Sequence, residues 1–303
     1  MNHLLEFNNV SRHFGFTKVL QEVSFRVPRG SVTALLGPNG AGKSTAIRIA
    51  VNLLAPANGE VTVLNTPSRR VGPEQLRRIG YVADGMELPL WMTVDRFLAW
   101  CRPLYPQWDR ALEERLRRDF DLPGDRKLSQ LSRGQRMKAA LLSSLAYRPE
   151  LVLLDEPFSG LDPIVRDEFI GGLLEMAGQE GWGLLVSSHD IEEVQKLADR
   201  VVVLDHGRVK LEESTEELLA RHRLVEVLMP GEFAIPSPRD AGWLSLNMSG
   251  RIVRFVEPHY DERLLAEKLA QHLPAAESHT ASVMPLRDVF VALVKAGKAA
   301  GGE

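Results

Sequence analysis

The sequence predicts an α/β fold with a mixed sheet, an antiparallel β subdomain, an inserted helical subdomain and a small C-terminal α+β domain. A glycine-rich segment at 37–45 lies between an apolar strand pattern and a helical one. Short apolar runs at 151–154 and 184–186 are bounded by chain breakers, as in buried parallel strands. Shorter strand patterns with a final helix follow residue 213. We therefore expect a main domain at 1–215, with its helical subdomain at about 85–147, and an accessory domain at 216–303.

Composition narrows the class of protein. The chain has 303 residues, of which 44% are hydrophobic and 25% charged, which suits about two globular domains. Its formal net charge of −3 argues against a protein that grips nucleic acid, so no nucleic-acid partner is expected. Cys101 is the only cysteine, which excludes an internal disulfide framework. Neither a secretion signal nor an apolar run of about 18 residues is found, so we expect a cytoplasmic chain.

The individual elements follow from periodicity and chain breakers. A helical subdomain is predicted because Leu112, Leu116 and Phe120 recur every four residues, and Glu113 with Arg117 forms a potential i,i+4 pair. The predicted strands lie at 4–10, 19–27, 32–36, 60–64, 151–154, 184–186, 224–229, 243–247 and 252–256. The predicted helices lie at 46–54, 165–176 and 261–271. A loop is expected at 230–240.

The glycine-rich segment fits G-x-x-x-x-G-K-[ST], the phosphate-binding P-loop, in the strand–loop–helix context that this motif requires. Its backbone N–H groups and the helix N-terminus would surround phosphate oxygens, with Lys43 at the β and γ phosphates and Ser44 on Mg²⁺. A fortuitous glycine turn is the alternative. The sequence thus predicts an ATP and Mg²⁺ site formed by Gly37, Pro38, Asn39, Gly40, Ala41, Gly42, Lys43, Ser44 and Thr45.

Two acids, Asp155 and Glu156, end the apolar run at 151–154. Phosphoryl transfer requires one group at the metal and one at the attacking nucleophile. Asp155 is the metal candidate, and Glu156 is the candidate general base for the attacking water. Taken alone, such acids are commonly a helix N-cap, but after a P-loop the catalytic interpretation is favoured.

A third motif consists of Leu131, Ser132, Arg133, Gly134 and Gln135. It resembles the LSGGQ signature of the ATP-binding subunits of ABC transporters, and no Asn-Lys-x-Asp guanine-binding motif occurs. The simpler interpretation is a helix cap by Ser132 or Ser129, which is compatible with the first.

The resemblance implies further site residues. His189 resembles the switch histidine that contacts the γ-phosphate, and Phe14, or less well Phe16, resembles the aromatic residue that stacks on adenine. The D-loop counterpart is Ser159, Gly160, Leu161 and Asp162.

One position departs from the family pattern. Asp84 stands where the family has the Q-loop glutamine. Carboxylates are good Mg²⁺ ligands, so we include Asp84 with Ser44 and Asp155 as a metal-ligand hypothesis.

The resemblance also implies partners. A single copy of each motif implies a homodimer or heterodimer of ATP-binding subunits, with an integral-membrane permease subunit, at the inner face of the cell membrane. The apolar run 88–92 either receives that permease or packs in the helical core. The segments 91–94, 104–109 and 284–293 resemble the exporter branch, which implies export of drugs, antibiotics or lipids. A soluble ATPase of the same superfamily, such as a cluster-assembly type, and a regulatory module without turnover are the alternatives.

Overall fold

The computed structural model describes residues 3–231 and 242–300. The chain divides into two compact units, Met1–Glu212 and Glu213–Glu303. Within the described ranges, no helix is both long and apolar enough to cross a membrane.

The first unit is built from strands and α-helices. Its strands are β1 (His3–Phe14), β2 (Thr17–Pro28), β3 (Val32–Leu36), β4 (Asn58–Val63), β5 (Thr66–Pro67), β6 (Ile79–Val82), β7 (Leu151–Asp155), β8 (Gly183–Ser188), β9 (Arg200–Asp205) and β10 (Arg208–Ser214), the last of which runs into the second unit. Its helices are α1 (Lys43–Ala50), α2 (Pro73–Leu76), α3 (Val94–Cys101), α4 (Arg110–Asp119), α5 (Arg133–Leu145), α6 (Pro163–Glu180) and α7 (Ile191–Val194).

The central sheet has the order β10-β9-β3-β8-β7-β6, and β3 pairs in parallel with β8 and β9, as β7 does with β6 and β8. All residues of β3, β7 and β8 are buried, which explains their continuous apolar runs. Because parallel strands end at the same edge, the segments that follow β3, β7 and β8 meet there. The register places Asp155 opposite Ser187 and Leu36 opposite Ser188.

A second sheet of order β2-β1-β4-β5 forms the antiparallel β subdomain. Phe7 and Phe25 stack at a centroid distance of 4.5 Å between β1 and β2. Both belong to the same buried cluster as Leu35 of β3 and Leu153 of β7, so one core joins the two sheets.

The helical subdomain consists of α3, α4 and α5, each of which has a side-chain N-cap. Leu112, Leu116 and Phe120 are buried, as their spacing predicts. Both members of the potential Glu113–Arg117 pair have other partners. Glu113 is buried and accepts hydrogen bonds from Arg102 Nε (2.8 Å) and Trp108 Nε1 (2.6 Å), while Arg117 Nη1 lies 2.8 Å from Asp95 Oδ1. Burial alone would raise the pKa of Glu113, but these bonds outweigh it and hold that pKa below its ordinary value.

The second unit contains α8 (Thr215–Arg221), β11 (Arg223–Leu228), β12 (Leu244–Ser249), β13 (Ile252–Glu257), α9 (Glu262–His272), β14 (Ser278–Val283) and α10 (Leu286–Ala300). Its strands form an antiparallel sheet of order β12-β13-β11-β14. Trp243 and Phe255 stack at 3.9 Å in a core that includes Leu265 and Leu269 of α9. The predicted loop at 230–240 lies almost wholly outside the described residues.

Candidate functional site

The phosphate loop connects the end of β3 to the start of α1. A Cβ on Gly37 would lie 2.1 Å from the Leu204 carbonyl oxygen, so only glycine fits there. Gly42, the N-cap of α1, has φ 108° and makes no side-chain capping bond. The loop therefore presents backbone amides at a helix N-terminus, which is the arrangement that binds anions.

Lys43, the first residue of α1, is buried. Its Nζ donates to the carbonyl oxygens of Gly37 (2.7 Å) and Pro38 (3.2 Å) and lies 3.0 Å from Glu156 Oε1. The ammonium group is thus held between the loop and Glu156, the residue that follows β7. A phosphate group in the loop would compete with Glu156 for this cation.

Asp155 is fully buried at the end of β7. Its Oδ1 accepts a hydrogen bond from Ser44 Oγ at 3.0 Å, whereas its buried Oδ2 has no hydrogen-bond partner among the residues described. A free carboxylate oxygen beside the loop hydroxyl fits Mg²⁺, which commonly takes one or two carboxylates together with substrate phosphates. The described part of the chain holds no cluster of three or more His, Cys, Asp or Glu side chains for a metal.

Glu156 directly follows β7 and has a left-handed backbone conformation, with φ 50°. Its Oε2 lies 2.8 Å from His189 Nδ1, and its backbone N–H donates to Ser187 Oγ at 2.9 Å. His189 is 43% exposed, while Glu156 is buried. One carboxylate therefore contacts both Lys43 and a histidine that faces solvent.

The signature segment starts α5. Ser132 is its N-cap: Gln135 N–H donates to Ser132 Oγ and Ser132 N–H donates to Gln135 Oε1, both at 3.1 Å. The helix-cap interpretation of this segment is therefore correct in structural terms. Arg133 is exposed and its guanidinium packs on the D-loop, since a Cβ on Gly160 would lie 2.3 Å from Arg133 Nη1.

The D-loop leads into α6. Asp162 Oδ1 accepts the Val165 backbone N–H at 3.1 Å, and Ser159 N–H donates to Glu156 O at 3.2 Å. The signature and D-loop segments are neighbours within one subunit. Among the residues that the structure describes, no hydrogen bond or ion pair joins Ser132 to Lys43 or Ser44.

Two predicted residues stand apart from this cluster. Phe14 ends β1 with 45% of its surface exposed, and the Arg12 guanidinium lies 4.7 Å above its ring. Asp84 is exposed just after β6, and in the part of the chain that the structure describes no hydrogen bond links it to Ser44 or Asp155.

Sequence reasoning missed Ser187, which contacts both acids. Its Oγ donates to Asp155 Oδ1 at 2.8 Å and accepts from Glu156 N–H. A signal was present, because Ser187 and Ser188 are polar residues at the end of a strand that begins with Gly183 and three apolar residues.

The fold and this site define an ATP-binding protein of the ABC transporter family, to which the chain belongs. A family model described as "ABC transporter" matches residues 20–159. The sulfate/thiosulfate import ATP-binding protein CysA of Bordetella parapertussis is 32% identical over 302 residues, 91% of this chain and 84% of that protein. CysA of Yersinia pseudotuberculosis is 34% identical over 215 residues, 68% of this chain and 59% of that protein.

Solved structures agree with this assignment. One described as the ATP-binding subunit of an ABC transporter has a TM-score of 0.65 and 29% identity, covering 72% of this chain and 92% of that chain. An ATP-binding cassette in its ADP conformation has a TM-score of 0.63 and 26% identity, covering 72% and 93%. The predicted fold class is confirmed.

The comparisons also correct one expectation. The relatives named above are import proteins, so the resemblance of three segments to the exporter branch is not supported. These segments carry no side chain of the site, and such similarity therefore says little about transport.

Proposed function

We propose that this chain binds and hydrolyses ATP as the ATP-binding subunit that drives a membrane transporter. One observation carries the proposal: the phosphate loop, the metal-side acid Asp155 and the base candidate Glu156 converge on the edge of the central sheet where β3 and β7 end. An ATPase assay of the purified chain tests it directly. Wild-type protein without Mg²⁺-dependent ATP hydrolysis, alone or with its membrane partner, would contradict it.

ATP binding starts at the phosphate loop. The loop amides and the start of α1 would hold the phosphates, and Lys43 would transfer its charge contact from Glu156 to the β and γ phosphates. Phe14 would stack on adenine, and Arg12 above its ring would add positive charge beside the base.

Mg²⁺ would be held by Ser44 and Asp155, with Asp84 as a further ligand. When bound, the ion would neutralise charge that develops on the transferred phosphoryl group. The free Oδ2 of Asp155 supports this assignment.

Glu156 would hold the attacking water and accept its proton, an effect typically worth about 10² to 10⁴ in rate. Displacement from Lys43 frees its Oε1 for this task, while Oε2 keeps the contact with His189. His189 then lies next to the base with its other ring nitrogen available for the γ-phosphate. Both side chains are supplied by strand ends, β7 and β8, whose positions are fixed by the sheet.

The site would be completed in a dimer. Ser132 caps the N-terminus of α5, and a helix N-terminus is suited to bind the γ-phosphate of ATP held by a second subunit. Loss of that phosphate would remove the contact and let the subunits separate. Glu156→Gln should therefore trap an ATP-bound dimer, which size-exclusion chromatography would detect; a monomer at saturating ATP would contradict the dimer model.

The apolar segment 88–92 is our candidate for contact with an integral-membrane permease. Leu90 and Trp91 are 44% and 70% exposed, which favours the docking interpretation over core packing. This contact would hold the chain at the inner face of the membrane. We expect a polytopic membrane protein to co-purify with the wild-type chain and to be lost from the Trp91→Ala variant. A wholly soluble complex would instead favour the soluble-ATPase alternative.

The direction of transport is a separate question. The relatives reported above are named as sulfate/thiosulfate import proteins. We propose import by the assembled transporter as the first hypothesis to test. ATP-dependent sulfate accumulation by cells that carry the complete transporter is the expected result. ATP-dependent loss of a preloaded drug or lipid from the same cells would restore the export hypothesis.

A further inference from the structure

Ser187 contacts both Asp155, the last residue of β7, and Glu156, which follows it. It is fully buried near the end of β8 and lies opposite Asp155 in the parallel register. Its Oγ donates to Asp155 Oδ1 at 2.8 Å and accepts the Glu156 backbone N–H at 2.9 Å. A serine hydroxyl has a single proton, and here that proton goes to Asp155.

The bond to Asp155 fixes the orientation of its carboxylate. Oδ1 receives two hydroxyl protons, from Ser187 and from Ser44 at 3.0 Å, and this leaves Oδ2 without a partner in the described chain. A carboxylate held in this way has one oxygen committed to the protein and one available to a cation. Without Ser187, the group could rotate and exchange its two oxygens.

The bond to Glu156 acts on the backbone. Glu156 has φ 50°, a conformation that side-chain-bearing residues rarely adopt and that persists only where surrounding contacts hold it. Its N–H is anchored to Ser187 Oγ at the point where the chain leaves β7. The direction of the Glu156 side chain, and hence its contacts with Lys43 and His189, depends on this turn.

We propose that Ser187 is a positioning residue that sets the metal-side acid and the general base with one hydroxyl group. The inference rests on the proposed function, because it names a residue through which that same site acts. It predicts that the hydroxyl matters for the acids and not for the stability of the sheet.

The chain offers a matched control. Thr33 is a fully buried residue of β3 in the same central sheet, and its Oγ1 has no hydrogen-bond partner among the described residues. Thr33→Val removes a hydroxyl that is as deeply buried as that of Ser187 and is not hydrogen-bonded to either acid. Its activity should be unchanged.

Ser187→Ala and Thr33→Val would be compared with wild type in three measurements: kcat and KM for ATP, the Mg²⁺ concentration for half-maximal rate, and hydrogen exchange at the Glu156 amide without nucleotide. Supporting side chains of metal sites typically contribute about 10- to 100-fold in metal affinity or activity. We expect Ser187→Ala to lower kcat by about tenfold or more with little change in KM, to raise the Mg²⁺ requirement, and to accelerate exchange at the Glu156 amide. Ser187→Thr keeps the hydroxyl and should restore all three, since a β-branched residue suits a strand.

Wild-type values for Ser187→Ala in an active protein would overturn the proposal while leaving the proposed function intact. A wild-type protein without ATPase activity would instead remove the proposed function. If Ser187→Ala does not fold, Ser187→Cys keeps the size with a much weaker donor, and wild-type kcat and exchange in that variant would equally overturn the role of the hydroxyl.

Discussion

The ion pair between Lys43 and Glu156 gives a quantitative prediction. Both side chains are buried, with exposed fractions of 5% and 9%, and their charged atoms are 3.0 Å apart. Removal of one partner of a buried pair typically costs about 3–5 kcal/mol. Glu156→Gln keeps the side-chain volume and an acceptor oxygen, and Lys43 keeps its bonds to the carbonyl oxygens of Gly37 and Pro38. We therefore expect the loss of stability to lie at or below the lower end of this range.

We expect Glu156→Gln to lower the free energy of unfolding of the nucleotide-free protein by about 2 kcal/mol. ATP should then bind more tightly, because phosphate no longer has to displace a carboxylate from Lys43. If the whole difference reappears in binding, ATP affinity rises by roughly 30-fold, since about 1.4 kcal/mol corresponds to a factor of ten.

Urea unfolding of the nucleotide-free protein and calorimetric titration with ATP in EDTA measure the two effects, and the absence of a divalent cation prevents hydrolysis. Glu6→Gln is the control, because Glu6 pairs with Arg26 at 2.9 Å on the surface of the same unit. An exposed pair of this kind contributes about 0–1 kcal/mol and should not alter ATP affinity. Stability and ATP affinity that stay at wild-type values in Glu156→Gln would refute the competition between Glu156 and phosphate.

Three other predictions concern single titratable or ligand side chains. Burial raises the pKa of Cys101 to about 11, so its alkylation at pH 8 should be roughly a hundredfold slower in the native protein than in urea; equal rates would contradict its burial. Burial lowers the pKa of His222, outweighing its bond to the Leu218 carbonyl oxygen, so the unfolded state binds more protons and stability should fall as pH decreases below about 6.5. In urea unfolding measured from pH 5 to 8, His222→Gln should weaken the pH dependence of the free energy of unfolding. If the variant keeps the wild-type dependence, that dependence arises from other groups. Asp84→Ala should raise the Mg²⁺ requirement of ATP hydrolysis; wild-type turnover and Mg²⁺ dependence would exclude Asp84 as a ligand.

Contiguous motifs were predictable from the sequence because their geometry is local. The P-loop needs only a strand, a glycine-rich turn and a helix in succession, and residues 32–50 supply them in that order. The acids and His189 were predictable for a related reason: each follows a buried apolar run, and parallel strands end at one edge.

Contacts between distant segments were not predictable in this way. Ser187 meets Asp155 through a strand register that no local pattern specifies. Helical spacing suggests Arg117 as a partner for Glu113, yet in the structure Glu113 is buried and accepts hydrogen bonds from Arg102 and Trp108. Strand β14 was missed because most of its residues are polar and exposed, so neither alternation nor an apolar run marks it.

Arg133 replaces a glycine of the signature pattern, and the contacts of its side chain could not be predicted from the motif. The sequence reveals an arginine where the signature pattern has glycine, but only the structure shows that its guanidinium lies over Gly160 of the D-loop. The signature and D-loop segments are therefore in contact within one subunit through a side chain that glycine could not supply.

Asp155 and Glu156 are adjacent in sequence and yet have different partners, and the backbone explains this division. Successive side chains of an extended strand point to opposite faces, so two acids in one strand could not both face the phosphate loop. Here β7 ends at Asp155 and the chain turns at Glu156 with φ 50°. As a result, Asp155 accepts a hydrogen bond from Ser44, whereas the Glu156 carboxylate contacts Lys43 and His189. The metal and the attacking water can then be served by consecutive residues, provided that the turn between them is held in place.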